Sequence, residues 1–216
     1  IKAVRDVIEA TKKTNVKLHI THVSTKASIE LIKNAKSLIN ITCDTTPNYL
    51  FLTEADTARL GELVKVNPRL RTKEDQVALW NCLTDGTIDM ITTDHAPHTI
   101  AEKHSNHPPS GIPGLDTMMP LMINAVLDGR LSFNELARLT STNPAQIWRF
   151  MLKGKIDLGF NADMIIVDTS SSYIIDKTKL FTKSGYSPYE GRTLKGKIIF
   201  TIVNGEIVYE NNDYSE

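Results

Sequence analysis

The first residues of the chain repeat apolar side chains at helical spacing. Val4, Val7, Ile8 and Thr11 fall on one face among Lys, Arg, Asp and Glu, which predicts an amphipathic helix. The period then changes. Residues 16–23 alternate and predict a strand, after which Ser24 or Thr25 can cap a helix whose apolar positions Ile29, Ile32, Ala35 and Ile39 share one side. Ile41 to Thr45 predicts a second short strand. Thr72, followed three residues later by Asp75, predicts a capped helix carrying Val77, Trp80 and Leu83, and residues 87–93 predict a third strand. Strands alternating with helices imply parallel strands joined by crossover helices. The expected class is therefore α/β, a sheet or barrel, with chemistry at the carboxyl ends of the strands.

The second half changes character. Ser132 with Glu135, and Thr142-Asn143-Pro144, predict two helix starts, the second with proline in the first turn where its missing N–H is harmless. Residues 162–167 and 198–203 are rich in β-formers, and Asn204-Gly205 between Ile202-Val203 and Ile207-Val208 predicts a tight hairpin. The expected organisation is an α/β part over residues 1–154 and a small β region over 155–216. The long connections at 45–71 and 94–114 point to function, because long loops in compact domains tend to carry it.

Composition narrows the possibilities. With 216 residues and 41% hydrophobic side chains the chain can bury a sizeable core. Lys+Arg and Asp+Glu are both 25, so no net charge draws it to nucleic acid or an acidic membrane surface. Its apolar runs fall far short of the roughly 20 residues that span a bilayer, and no secretory pattern opens it. A small-molecule partner and a cytoplasmic setting follow, with Cys43 and Cys82 read as reduced core thiols. Trp80 and Trp148 also read as core. The chain begins at Ile1, in what reads as mid-helix, and is taken as a fragment.

The chemistry concentrates where the third predicted strand ends. The run Ile88 to Ile91, apolar but for Asp89, leads into Thr92-Thr93-Asp94-His95-Ala96-Pro97-His98, followed by Gly111-Ile112-Pro113-Gly114-Leu115-Asp116. A carboxylate at a strand mouth can hold a metal, take a proton, or both. The first predicted strand supplies His19 and His22, which alternation places on opposite faces. His22, nearer the carboxyl end, is the ligand candidate, and His19 is read as structural or supporting. From local sequence alone Asn67 before Pro68 is a turn residue and His98 a solvated loop histidine. His104 and His107 are read as exposed.

Taken together, His22-Val23-Ser24-Thr25, Thr46-Pro47, Asn67-Pro68 with Leu70-Arg71, Asp94 to His98 with Glu102-Lys103, and Gly111 to Thr117 resemble the dihydroorotases of the amidohydrolase superfamily. The likeness continues through Asn161-Ala162-Asp163 and Ser187-Pro188-Tyr189-Glu190-Gly191 to the closing hairpin. It implies the carboxyl-terminal part of a (β/α)₈ barrel, strands six to eight, followed by a small β-sandwich built from both chain ends. It also implies two Zn²⁺ ions, with His22 and Asp94 among their ligands and the remaining ligands, together with the arginine that grips the substrate carboxylate, upstream of Ile1. Substrate contacts map to Asn67, to His98 and to the backbone at Ser110-Gly111, where a missing Cβ lets main-chain N–H groups approach a ring.

The implied reaction is reversible cyclisation of N-carbamoyl-L-aspartate to L-dihydroorotate in pyrimidine biosynthesis, with Asp94 as ligand and proton shuttle. Homodimerisation or association with aspartate carbamoyltransferase are the assemblies it implies. The alternatives are a hydantoinase, dihydropyrimidinase or allantoinase, whose neutral rings need no carboxylate clamp, and a catalytically silent homologue acting as a scaffold. Two departures stand out: Asn48-Tyr49 follows Thr46-Pro47 where paired histidines are common, and Asp116 replaces a usual glutamate. As a fragment, with two ligand positions and open sheet edges, the isolated chain is expected to be inactive and weakly folded.

Overall fold

The computed structural model describes residues 1–211; the last five residues of the expected β region lie outside the described residues. In chain order the elements are α1 (Lys2–Thr14), β1 (Leu18–Ile20), α2 (Lys26–Ala35), β2 (Ile41–Thr45), α3 (Pro47–Phe51), α4 (Glu54–Leu60), α5 (Lys73–Thr84), β3 (Met90–Ile91), α6 (Ile100–Lys103), α7 (Leu115–Leu127), α8 (Phe133–Ala137), α9 (Asn143–Trp148), β4 (Met164–Ile174), β5 (Thr193–Val203) and β6 (Glu206–Glu210). Two compact units divide them. One takes residues 1–118 and 180–188, the other 119–179 and the chain from Tyr189 onward.

In the first unit β1, β2 and β3 form a parallel sheet in that order, with Leu18 opposite Ile41 and Asp44 opposite Met90. Parallel strands require crossovers, and α2 and α5 supply them. Thr25 caps α2, its hydroxyl accepting from Ser28 N at 3.2 Å, and the helix buries Ile29, Ile32 and Ala35. Thr72 caps α5 through Asp75 N at 3.2 Å, and that helix buries Leu79, Trp80 and Leu83 while Val77 faces outward at 48% exposure. Trp80 donates its indole N–H to Leu50 O at 2.9 Å and meets Phe51 edge-on, 5.4 Å between ring centres. Cys43, Ile88, Met90 and Ile91 complete the core beneath the sheet.

The strands are shorter than their apolar runs suggest. The first covers only Leu18–Ile20 of residues 16–23, because the His22 N–H leaves the strand direction to donate to the Asp44 carboxylate at 2.6 Å. The third is Met90–Ile91, after which Thr92 N bonds Thr45 O at 3.0 Å and Asp94 turns into a left-handed conformation, φ 47°. The 45–71 connection is not an extended loop. Thr46 opens α3, and a capping box of Thr53 and Asp56 opens α4, with Thr53 N donating to Asp56 Oδ2 at 2.9 Å.

In the second unit, Ser132 and Glu135 form the expected capping box of α8. Helix α9 begins at Asn143 with Pro144 in its first turn, as expected, but Thr142 makes no side-chain cap. Residues 138–142 wind as a π-helical turn, Asn143 N bonding Arg138 O, and lead straight into α9; Pro144, which has no N–H, follows this widened turn. Trp148 is 52% exposed rather than core. It ends α9, and Arg149 then turns left-handed, φ 57°, so no further helical turn covers the indole. The strands β4, β5 and β6 form an antiparallel sheet in that order. Asn204 and Gly205 join the last two with φ 52° and 85°, the paired positive values that a two-residue hairpin turn needs.

Candidate functional site

Three parallel strands deliver their carboxyl ends to one edge of the sheet, and each end carries an ionisable group: His22 after β1, Asp44 in β2 and Asp94 after β3. Asp44 organises the three. It is 2% exposed, accepts at Oδ1 from His22 N at 2.6 Å and from the Thr92 hydroxyl at 2.9 Å, and faces His19 Nε2 from Oδ2 at 2.9 Å. A carboxylate can only accept, so His19 donates through Nε2, while its Nδ1 lies within hydrogen-bond reach of Thr42 Oγ1 at 2.7 Å. One buried carboxylate thus ties β1 to β3 across β2.

His22 and Asp94 are brought together. Both take left-handed backbone conformations, φ 43° and 47°, which turn their side chains off the strand direction. Burial pushes the Asp94 carboxyl above its ordinary pKa; His22 opposes the rise and Asp44 adds to it. His22 Nδ1 is buried and has no hydrogen-bond partner among the described residues. An orphaned imidazole nitrogen beside a half-buried carboxylate is a donor pair of the kind zinc accepts. Among the described residues no group of three or more His, Cys, Asp or Glu side chains is arranged to hold a metal. The pair therefore fits part of a zinc coordination set.

A cavity of about 680 Å³ opens beside β1, lined by α1, by His19 and His22, and by Pro68 and Arg71. Arg71 Nε is buried without a partner. Tyr49, 2% exposed, donates its hydroxyl to Pro68 O at 2.6 Å, and its phenol is pushed up in pKa by burial and by Asp94, with Arg71 opposing. Tyr49 thereby fixes the segment that carries Asn67, which is itself exposed and joined to Pro68 by a cis peptide.

The other candidate positions gather on one loop. Gly111 has φ 147°, and a Cβ there would collide with Ala96 O and lie 2.7 Å from Ala96 Cβ and 3.1 Å from His98 Cδ2, so His98 and Gly111 are neighbours. Ser110 is partly buried beside them. Gly111 N donates to Lys65 O at 2.9 Å, which ties this loop to the segment leading to Asn67. His95 serves the backbone: its Nδ1 accepts from Gly114 N at 3.0 Å and Leu115 N at 3.1 Å, satisfying amides at the start of α7. Asp116 likewise accepts from Phe181 N at 3.2 Å and Thr182 N at 3.1 Å. Sequence reasoning missed Asp44 and Tyr49. The available signal was an acidic residue within the otherwise uncharged strand Ile41–Thr45.

The amidohydrolase family profile matches residues 2–208. The chain is similar to the dihydroorotase of Methanosphaera stadtmanae, 39% identical over 213 residues, which are 98% of this chain and 49% of that protein. It is similar also to the dihydroorotase of Acetivibrio thermocellus, 41% identical over 212 residues, 96% of this chain and 49% of that protein. The chain spans about half the length of the curated relatives it matches. Among solved structures, the L-hydantoinase (dihydropyrimidinase) of Arthrobacter aurescens superposes with a TM-score of 0.92 at 30% identity, over 97% of this chain and 48% of that one. The dihydropyrimidinase of Brevibacillus agri superposes with a TM-score of 0.92 at 26% identity, over 97% of this chain and 48% of that one. A profile match over nearly the whole chain, joined to paired metal-competent side chains at the ends of parallel strands, makes this chain a member of the amidohydrolase family.

Proposed function

We propose that this chain is part of a zinc-dependent dihydroorotase, interconverting L-dihydroorotate and N-carbamoyl-L-aspartate. The observation that carries the reading is the pair His22 and Asp94 at the ends of parallel strands of one sheet, where a buried imidazole nitrogen without a partner among the described residues lies near a half-buried carboxyl. The dihydroorotase relatives at 39% and 41% identity support the choice of substrate. In this reading β1, β2 and β3 belong to a (β/α)₈ barrel, residues 1–154 are its carboxyl-terminal part, and the antiparallel sheet belongs to a small β-sandwich. Two reduced, buried cysteines fit a cytoplasmic setting, and among the described residues no helix is long and apolar enough to cross a membrane.

His22 and Asp94 would hold zinc, with the remaining ligands supplied from outside this chain. Bound zinc supplies Lewis acidity, polarising the ring amide and acidifying a water. Asp94 accepts a proton from the attacking water and returns it to the ring nitrogen as the amide bond breaks. A carboxylate at the mouth of a strand can perform both steps, as acceptor in the first and, once protonated, as donor in the second. Asn67, His98 and the backbone at Ser110-Gly111 recognise the carboxylated ring. In the reverse direction the same groups orient the carbamoyl nitrogen and the side-chain carboxyl for closure.

The second reading, a hydantoinase or dihydropyrimidinase, draws on the structural likeness to the Arthrobacter aurescens enzyme. Assays of the intact protein separate the two. Dihydroorotate should be turned over far faster than dihydrouracil or hydantoin, and replacing His22 or Asp94 with Ala should remove zinc and nearly all turnover. Equal or faster turnover of the neutral rings moves the assignment to the second reading, and full zinc retention in both variants removes the ligand assignment.

A further inference from the structure

Lys103, at the end of α6, is completely buried, 0% exposed. Its ammonium has three N–H donors. They reach Gly111 O at 2.9 Å, Pro109 O at 3.0 Å and Lys65 O at 3.1 Å. Among the described residues no carboxylate pairs with it. Burial lowers its pKa from that of an ordinary lysine; Glu62 opposes that effect and Lys65 adds to it. A buried cation satisfied only by backbone carbonyls is a poor way to fill space, since a methionine would occupy the volume without desolvating a charge. What the charge does is fix backbone. Lys65 O accepts from both Lys103 Nζ and Gly111 N, so two segments of the first unit are bound at a shared oxygen.

From this geometry we infer that Lys103 is a positioning residue, an internal clamp that sets the recognition backbone at Ser110-Gly111 in register with the segment leading to Asn67. The inference rests on the reading that these two segments contact substrate. The clamp's three acceptors come from both sides of the recognition surface: Pro109 and Gly111 flank Ser110, and Lys65 lies two residues before Asn67. Tyr49 holds the far side of Asn67 through Pro68 O. Asn67 is therefore pinned on both flanks while its own side chain stays exposed. Removing the ammonium leaves the Gly111 N–Lys65 O hydrogen bond to hold the two segments without it, loosening that flank and the glycine loop together, and leaves His22, Asp44 and Asp94 untouched.

The test uses the intact, zinc-loaded protein. Lys103→Met keeps the stem and removes every donor; it should raise KM for dihydroorotate by about 10-fold or more while kcat stays within about 3-fold and zinc content is unchanged. Hydrogen exchange at the Gly111 amide should accelerate by a similar factor, with Ile91 in the core sheet unaffected. Lys103→Gln, which keeps two donors, should fall between wild type and Lys103→Met on both readouts, and it serves as the test should the methionine variant fail to fold. A wild-type KM and wild-type Gly111 exchange in either folded variant overturns the proposal, as does an equal fall in kcat with KM unchanged. Should the wild-type protein not turn over dihydroorotate, the substrate reading fails, while Gly111 exchange still reports on the clamp.

Discussion

Replacing Asp44 with Ala removes the acceptor that joins the three strand ends. The carboxylate is 2% exposed and takes His22 N at 2.6 Å, the Thr92 hydroxyl at 2.9 Å and His19 Nε2 at 2.9 Å. These donors do not suffer equally. The Thr92 hydroxyl can rotate and the His19 ring, whose side chain is 12% exposed, can reach water, but the His22 amide is fixed by the backbone. An unsatisfied buried N–H costs about 1–3 kcal/mol, and breaking a buried charged contact about 3–5 kcal/mol in all, so a loss of roughly 3–5 kcal/mol is expected. Asp44 also raises the Asp94 pKa, so its removal relaxes one repulsion and offsets a little of that loss. Asp44→Asn should cost about 1–2 kcal/mol, because its amide oxygen still accepts from His22 N while its NH₂ meets a histidine that must change tautomer. Urea unfolding of the intact, metal-depleted protein measures both, since metal linkage would otherwise mask the difference. An alanine variant within about 1 kcal/mol of wild type, or an asparagine variant less stable than the alanine one, would refute the assignment of Asp44 as the tie between strands.

Two further outcomes are open to measurement. The Cys43 thiol is 0% exposed and its pKa is pushed up to about 12, chiefly by burial, so at pH 8 only about 10⁻⁴ of it is thiolate and the native protein should resist disulfide reagents at this position; fast native labelling of Cys43, located by mass spectrometry, would contradict that. Gly196 in β5 has φ 80°, and an added Cβ would lie 2.5 Å from Ile123 Cγ2 and 2.9 Å from Leu127 Cδ1, so Gly196→Ala should destabilise by about 1–3 kcal/mol, seen as a lower Tm; an unchanged Tm would count against this packing.

Local signals carried the sequence reading as far as local forces decide structure. The helical face of Ile29, Ile32 and Ala35, the strand Ile41–Thr45 and the Asn204-Gly205 turn are each set by neighbours in sequence, and all were legible. His22 and Asp94 were visible as candidates because each stands at the carboxyl end of a predicted strand. Asp44 was not, because its role is made by residues 22, 25 and 48 positions away, which no periodicity records. Tyr49 depends on a carbonyl 19 residues on, and Lys103 on one 38 residues back. The short helices α3 and α4 were hidden by their length, although Thr53 and Asp56 carried a capping signature. Trp148 misled because its size favours burial, whereas its place at the last residue of α9 leaves it uncovered.

The left-handed backbone at His22 and Asp94 sets the fold's own preference against its chemistry. Such a conformation costs an L-residue on the order of 1–2 kcal/mol, somewhat less for aspartate, and glycine escapes the penalty. A library of variants ranked by heat resistance alone would thus enrich glycine at these two positions and, under the proposed ligand reading, hand back a sturdier protein stripped of two zinc donors. The same bias acts over evolutionary time. Under the proposed reading, a descendant relieved of zinc binding would gain backbone freedom first at these two residues.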